Sequence, residues 1–487
     1  MYKLTVEQLL EATGGQLLTG EHTRGTGRTF SVSTDTRTLE AGQCFLALEG
    51  ETFDGHTFIP QALELPGVAV MGQREKLERL GLQQHHDSVR VGVRDTLRAL
   101  GDIAAWRRAR LSIPVVGLTG SAGKTSTKDL IRGILETTGE GLATQGNLNN
   151  LIGLPQMVLR IADHHTWAVL EMGMNAFGEI ERMASIARPT VRLITNVANA
   201  HTQGVGGIDG VQKAKGELFA TAQPGDTLVI NLDDARVKAI PRPAGVNVLT
   251  YGTHPEADVR LDSVQQREDG TLNIRVTVSS GLSSGSFPGV FSAHVPLLGA
   301  HNALNATAAW GVGVALGVSP EHCVEGLLRV KLSPMRMEPS VLPGGILTIN
   351  DAYNANPSSM EAALQALADL RKPGGRTIAA LGDMLELGAL ELTAHQRLGV
   401  RAVESGVDLL LCCGLRSRMT LLGARSAGLP EERGFHSLDH AEVGQRLAAL
   451  LQPGDVLLLK GSRGARMEKV LMALQQALGV TGGSFAH

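Results

Sequence analysis

Residues Gly117-Leu118-Thr119-Gly120-Ser121-Ala122-Gly123-Lys124-Thr125-Ser126-Thr127 set three glycines and a Lys-Thr pair directly after an apolar run and directly before a helical pattern. This setting suits a chain of phosphates. The glycines let backbone N–H groups converge on phosphate oxygens and a helix N-terminus adds partial positive charge. Lys124 is then available to bridge phosphates, and the Thr125 hydroxyl to ligate Mg²⁺. The spacing departs from strict G-x-x-x-x-G-K-[ST], since the first glycine stands one residue early and position 118 is Leu. A loop of this kind implies a nucleoside triphosphate and leaves the reaction open. No N-K-x-D base-reading motif occurs, and no apolar run ends in Asp-Glu as a motor's would.

Three further residues narrow the choice. The apolar run Trp167–Leu170 ends in Glu171-Met172-Gly173, which places a carboxylate at the C-terminal edge of a strand, where ligands of open α/β sheets bind. Glu171 is either a Mg²⁺ ligand or a solvated acid at a strand end. The run Val191–Val197 leads into Ala198-Asn199-Ala200-His201, and His201 reads equally as a site residue or a polar-network residue. Lys215 follows in Lys213-Ala214-Lys215-Gly216-Glu217 at the start of a helix, where a surface lysine is the plain reading.

The elements that must position these residues are legible as apolar periodicity. Runs at 113–118, 167–170, 191–197 and 227–232, with helical spacing such as Leu130, Ile131, Ile134 and Leu135 between them, predict βαβ units around a largely parallel sheet. The series restarts at 346–349, 377–381, 408–412 and 456–459, which predicts a second α/β domain. Before about residue 90, short β-rich pieces (28–32, 43–48, 68–71) predict a small separate α/β domain. Residues 93–110 read as a linker helix with Leu97, Leu100, Ile103 and Ala104 on one face and a basic end, Arg107, Arg108 and Arg110, suited to a helix C-terminus. The Ser- and Gly-rich stretch 262–289 reads as an exposed hairpin or meander.

Bulk composition sets the outer limits. The 487 residues favour about three domains, and 43% hydrophobic against 19% charged residues excludes wholesale disorder. The 45 basic and 48 acidic side chains leave −3, which gives no electrostatic reason to expect nucleic acid or an anionic membrane as partner. The N-terminus is not a secretory signal and no window suits a membrane span, so a cytoplasmic protein without membrane insertion is expected. Cys44, Cys323, Cys412 and Cys413 lack disulfide or metal spacing and read as core thiols.

Eight ordered elements together resemble the Mur ligases, which build the peptide stem of peptidoglycan: TGSAGKTS (119–126), EMG (171–173), ITNVANAH ending at His201, AKGELF (214–219), GAHNALNATAA (299–309), PMRME (334–338), NDAYNANP (350–357) and LGDMLELG (381–388). The resemblance implies an N-terminal UDP-sugar-binding domain (1–92), a central ATP-binding phosphate-loop domain (93–330) and a C-terminal Rossmann-like domain (331–487), all α/β. It implies that ATP is held by Gly120, Ser121, Ala122, Gly123, Lys124, Thr125, Ser126, Asn302 (at adenine), Arg336 and Asp351 (at the ribose or second nucleotide site). By the same carry-over Lys124, Glu171, His201 and Lys215 are catalytic. Two Mg²⁺ ions are implied, held by Thr125, Glu171, His201 and Lys215, the lysine carrying CO₂ as a carbamate. A substrate carboxylate would be activated as an acyl phosphate and then attacked by an amine.

Within the family, Val32–His56 is similar to the uridine-binding domains of the two later members, and NANPS stands where the diamino-acid-adding member has D-N-P-R. GNLNNLIGLP (146–155) resembles the segment of the member that adds D-alanyl-D-alanine to the UDP-N-acetylmuramoyl-tripeptide, with Leu151 in place of an acid. The sugar-peptide is therefore expected at Asn147, Asn149 and Asn150, unless these are turn formers, and uridine near Thr34, Asp35 and Arg37. ATP, the tripeptide and the dipeptide are the expected partners of a monomer. The rival readings are the diamino-acid-adding ligase, a folate polyglutamate ligase and a nucleotide-binding regulatory protein that has lost catalysis.

Overall fold

In the computed structural model, which describes residues 1–80, 85, 87–198, 202–280 and 287–480, the apolar run before the phosphate loop forms the strand Val115–Thr119 and the loop opens the helix Lys124–Glu136. His201, with Asn199 and Ala200, lies outside the described residues. The chain divides into two units: Met1–Gly117 with Gly139–Gly173 and Gly178–Thr190, and Leu118–Thr138 with Met174–Phe177 and Val191–His487.

The first unit contains a six-stranded sheet in the order Lys3–Thr5, Thr29–Ser33, Cys44–Leu46, Ala69–Gln73, Arg90–Val93, Gln16–Thr19. Its four inner strands run parallel and the two edge strands antiparallel. Three of the inner strands fall where the β-rich pieces predict them, whereas Arg90–Val93 is not expected from them and the edges are short and carry little apolar signal. The same unit holds the parallel pair Gly141–Ala143 and Trp167–Glu171. Residues expected as a linker fold as the helix Thr96–Arg108, capped by Asp95, whose side chain accepts from the Arg98 N–H. Leu100, Ile103 and Ala104 are buried as the periodicity requires.

The basic end of that helix departs from expectation. Arg107 and Arg108 are buried instead of lying in solvent near a helix dipole. Arg108 donates to the carbonyls of Ala187, Leu111, Ile113 and Arg188, and Arg107 to Ile161 C=O and Asp163 with its guanidinium 3.9 Å from the Tyr2 ring centroid. A guanidinium's five donors can satisfy several chain ends at once, so these residues knit loops together inside the core.

In the second unit Val191–Ile194, Thr227–Asn231, Asn247–Gly252 and Val259–Gln266 pair in succession, all parallel. They continue into an antiparallel meander through Leu272–Val278 and Gly289–Val295, as the 262–289 stretch predicts. The other sheet of this unit has the order Glu338–Leu342, Ile346–Asp351, Val456–Lys460, Thr377–Gly382, Leu409–Cys413, Gly434–Ser437, antiparallel only at its first pair. Alternate residues point to opposite faces, Ala379 and Leu458 into one apolar layer and Ile378 and Leu457 into the other, so helices cover both sides. The last strand in sequence, Val456–Lys460, is inserted between the second and third. Asp351 and Lys460, register partners, thereby meet at the carboxyl edge where such sheets bind ligands.

All four cysteines are buried and free. Burial pushes the thiols of Cys44 and Cys323 up to about 12 and that of Cys413 to about 11, and raises that of Cys412 as well. Only a thiolate alkylates readily. The native protein at pH 8 should therefore resist iodoacetamide, and unfolding in guanidinium should expose four alkylatable groups, counted by mass spectrometry.

Candidate active site

The phosphate loop is gripped from the end of the neighbouring strand. The Ser121 N–H donates to Asn196 C=O (3.0 Å) and the Ala122 N–H to Asn196 Oδ1 (2.9 Å). Asn196 Nδ2 and Thr195 Oγ1 both donate to Ala122 C=O (3.0 and 2.7 Å). Ser121 Oγ donates to Ala198 C=O and accepts from its N–H. The approach is so close that a Cβ on Gly120 would lie 1.8 Å from Thr195 Oγ1. Gly123, at φ 78°, takes the left-handed turn into the helix, and a Cβ there would meet Asn305 Oδ1 at 2.7 Å. Two of the loop's amides are thus spent on Asn196. Lys124 Nζ reaches back to Gly120 C=O at 2.7 Å.

Arg336 approaches the same helix from the second sheet of this unit. Its guanidinium donates to Thr125 Oγ1 at 2.9 Å and lies 4.2 Å from the Tyr353 ring centroid. Its Nε is buried and has no acceptor among the described residues. An unsatisfied cationic donor beside a phosphate loop fits a phosphate oxygen. The Thr125 oxygen, already accepting from a cation, is of the hard donor type that Mg²⁺ takes. Met335 and Met337, on either side of Arg336, have φ values of 57° and 49°. Side-chain-bearing residues avoid this region at roughly 1–3 kcal/mol each, a cost that concentrates where a residue must be aimed. Asn356 Nδ2 completes the contact by donating to Ser121 C=O.

The remaining expected nucleotide residues are turned inward. Asn302 is 1% exposed, donating to Leu298 C=O and accepting from Asn305. Asp351 accepts from Lys460 Nζ (2.5 Å) and the Met337 N–H (3.1 Å). Lys215, on the helix Ile208–Ala220 of this unit, is 1% exposed, so it is not the surface lysine of the plain reading.

In the first unit Glu171 is 2% exposed and accepts from Asn149 Nδ2 at 2.9 Å. It is a buried carboxylate and not a solvated strand end. Asn150 is a turn former: its Oδ1 accepts from the Ile152 and Gly153 N–H groups and starts the helix Gly153–Leu159. Asn147 is exposed. The same helix carries Gln156, which no motif or periodicity marks, and its amide donates to Thr34 Oγ1 at 2.9 Å. Thr34 is therefore tied to the helix that follows the asparagine cluster, across 122 residues of sequence. Arg37 grips Asp35 through both carboxylate oxygens (2.9 and 2.7 Å) and holds its carboxyl down at about 2.

A strand-loop-helix phosphate cradle met by an aimed arginine defines an enzyme acting on a nucleoside triphosphate. Models of the Mur ligase family match along the chain: its catalytic domain over residues 30–108, its middle domain over 118–313 and its glutamate ligase domain over 335–463. The UDP-N-acetylmuramoyl-tripeptide–D-alanyl-D-alanine ligase of Bacillus subtilis is 35% identical over 97% of this chain and 99% of that one. A crystal structure of MurF from Acinetobacter baumannii superposes with a TM-score of 0.86 at 30% identity, covering 98% and 99% of the two chains. MurF from Thermotoga maritima in complex with ADP gives 0.79 at 26% identity, covering 92% and 98%. The chain belongs to the Mur ligase family and has its three-domain α/β architecture. Within that family it is of the MurF type.

Gly120→Ala should weaken binding of a fluorescent ATP analogue on the order of tenfold or more, equivalent to ~1.4 kcal/mol of overpacking against Thr195. An unchanged affinity in a folded variant would mean that this loop is not where the nucleotide sits.

Proposed function

We propose that this protein joins D-alanyl-D-alanine to the UDP-N-acetylmuramoyl-tripeptide in the cytosol, consuming ATP. The observation that carries the reading is the convergence of phosphate loop and Arg336 at Thr125, in a chain that corresponds end to end with ligases named for this reaction. Chemically, a carboxylate is a poor acyl donor and must first be activated. One carboxylate oxygen of the tripeptide attacks the γ-phosphorus of ATP, the bond to the bridging oxygen breaks, and ADP leaves an acyl phosphate behind. The amino group of the dipeptide adds to the carbonyl carbon. The tetrahedral intermediate then expels phosphate and gives up a proton, leaving the amide.

The protein's part is positioning and charge neutralisation. Gly120 to Ser126 cradle the phosphates, with Lys124 and Arg336 placed to offset charge on the group in transfer. Asn302 and Asp351 are assigned to the adenosine end. Thr125, Glu171, His201 and Lys215 as its carbamate would hold two Mg²⁺ ions, which supply further neutralisation of phosphate charge. Burial supports the carbamate: removal from water favours a neutral amine over an ammonium, and it is the neutral amine that reacts with CO₂, giving an anionic oxygen donor of the kind Mg²⁺ takes. Asn147, Asn149, Thr34, Asp35 and Arg37 are assigned to the sugar-peptide, with Asn150 shaping the turn beside them and Gln156 bonded to Thr34.

Phosphate release should require ATP, Mg²⁺, the tripeptide and D-alanyl-D-alanine together. Release driven by a diamino acid on the dipeptide precursor would replace this reading with that of the diamino-acid-adding ligase. Lys124→Ala should lower kcat by about 10²-fold or more, the scale seen on removing one electrostatic donor from a transition state. Lys215→Ala should be inactive and regain activity with added short carboxylic acids. Full activity without them would remove the carbamate.

A further inference from the structure

The five residues Ser333-Pro334-Met335-Arg336-Met337 carry the arginine to the phosphate-loop helix, and a buried carboxylate holds each end of them. At the first end Asp129, one turn beyond Thr125 on the same helix, accepts from both the Ser333 N–H (2.7 Å) and Ser333 Oγ (2.9 Å) through one oxygen. Lys128 Nζ stands 3.2 Å from the other oxygen of Asp129 and donates to Ser333 Oγ at 3.4 Å. Both side chains are buried, Asp129 completely. At the second end Asp351 Oδ1 accepts from the Met337 N–H, while Oδ2 takes the buried Lys460, which also donates to Asn354 C=O at 3.1 Å. The Met335 C=O is fixed as well, by the Tyr353 N–H at 3.2 Å.

Between these clamps the backbone holds Met335 and Met337 in the left-handed region, a conformation that relaxes unless its surroundings enforce it. The side chain between these two residues is Arg336. Asp129 and Lys460 are not needed as phosphate ligands, since Asp129 is anionic and Lys460 is committed to Asp351. A buried charge kept only for stability could be replaced by an apolar pair at little loss, whereas here each pair ends on a backbone amide of this one segment.

We infer that Asp129 and Lys460 are positioning residues for Arg336: one fixes the start of the segment to the phosphate-loop helix, and the other holds Asp351 in the orientation that pins its end. The inference rests on the reading of Arg336 as a group that meets the phosphates of ATP.

The test is a double-mutant cycle in the full-length protein. Lys460→Gln and Asp129→Asn are each made alone and in an Arg336→Ala background. kcat, the KM of each substrate, melting temperature and affinity for a non-hydrolysable ATP analogue are measured. The single variants should lose roughly tenfold or more in kcat with the tripeptide KM within about twofold, and should add less than about threefold once Arg336 is gone. Lys460→Arg should recover most of the loss. Losses that multiply in the Arg336→Ala background, or an unchanged kcat in a folded variant, overturn the inference. Should Asp129→Asn not fold, Ser333→Ala removes the hydroxyl donor at the same clamp and is read by the same criterion. If the wild-type protein releases no ADP in response to D-alanyl-D-alanine, the functional reading fails by itself. The cycle is then decided on affinity for the ATP analogue, where non-additive weakening supports positioning and additive or absent weakening rejects it.

Discussion

A phosphate loop must leave a helix N-terminus open to anions while its own carbonyls and hydroxyls are satisfied elsewhere, and in this protein that condition is met by Thr195 and Asn196. The two side chains and the Asn196 backbone take up the Ser121 N–H and both the N–H and C=O of Ala122. Only a residue without a Cβ lets the chain come this near at position 120. The rest of the site depends on this fit, because the helix Lys124–Glu136 starts where the loop lets it start.

The same helix is a frame for what faces it. Thr125 takes the Arg336 guanidinium and Asp129, one turn on, takes Ser333. The loop itself takes Asn356. Buried carboxylates recur in these contacts, and each accepts at least one hydrogen bond, as the cost of dehydrating an ion requires. Glu171 accepts from Asn149, Asp351 from Lys460 and a backbone amide, and Asp129 from a backbone amide and a hydroxyl. Each carboxylate is thereby held in one orientation.

The arginines divide into two uses of one chemistry. Arg107 and Arg108 use the guanidinium fork to satisfy carbonyls at loop ends inside the first unit. Arg336 keeps one buried donor without a protein acceptor among the described residues. The first arrangement ties loop ends together, and the second brings a guanidinium to the helix that follows the phosphate loop.

Much that depends on near neighbours was already determined by the amino-acid sequence: the strand-loop-helix setting of Lys124 and Thr125, three of the inner strands of the first sheet, the buried stripe Leu130, Ile131, Ile134 and Leu135, and the buried cysteines. Turn chemistry and helical or strand periodicity act over a few residues, so they leave a local signature. What only the tertiary structure decided are the pairings across long chain separations: Gln156 with Thr34, Arg336 with Thr125, Ser333 with Asp129, Lys460 with Asp351. It also decided that Arg107 and Arg108 go inside, that Asn302 faces inward, and that the short edge strands Lys3–Thr5, Gln16–Thr19, Glu338–Leu342 and Gly434–Ser437 exist at all. A polar side chain carries no periodic mark of its partner. Its role is fixed only when the fold has removed water from around it and left one acceptor or donor in reach.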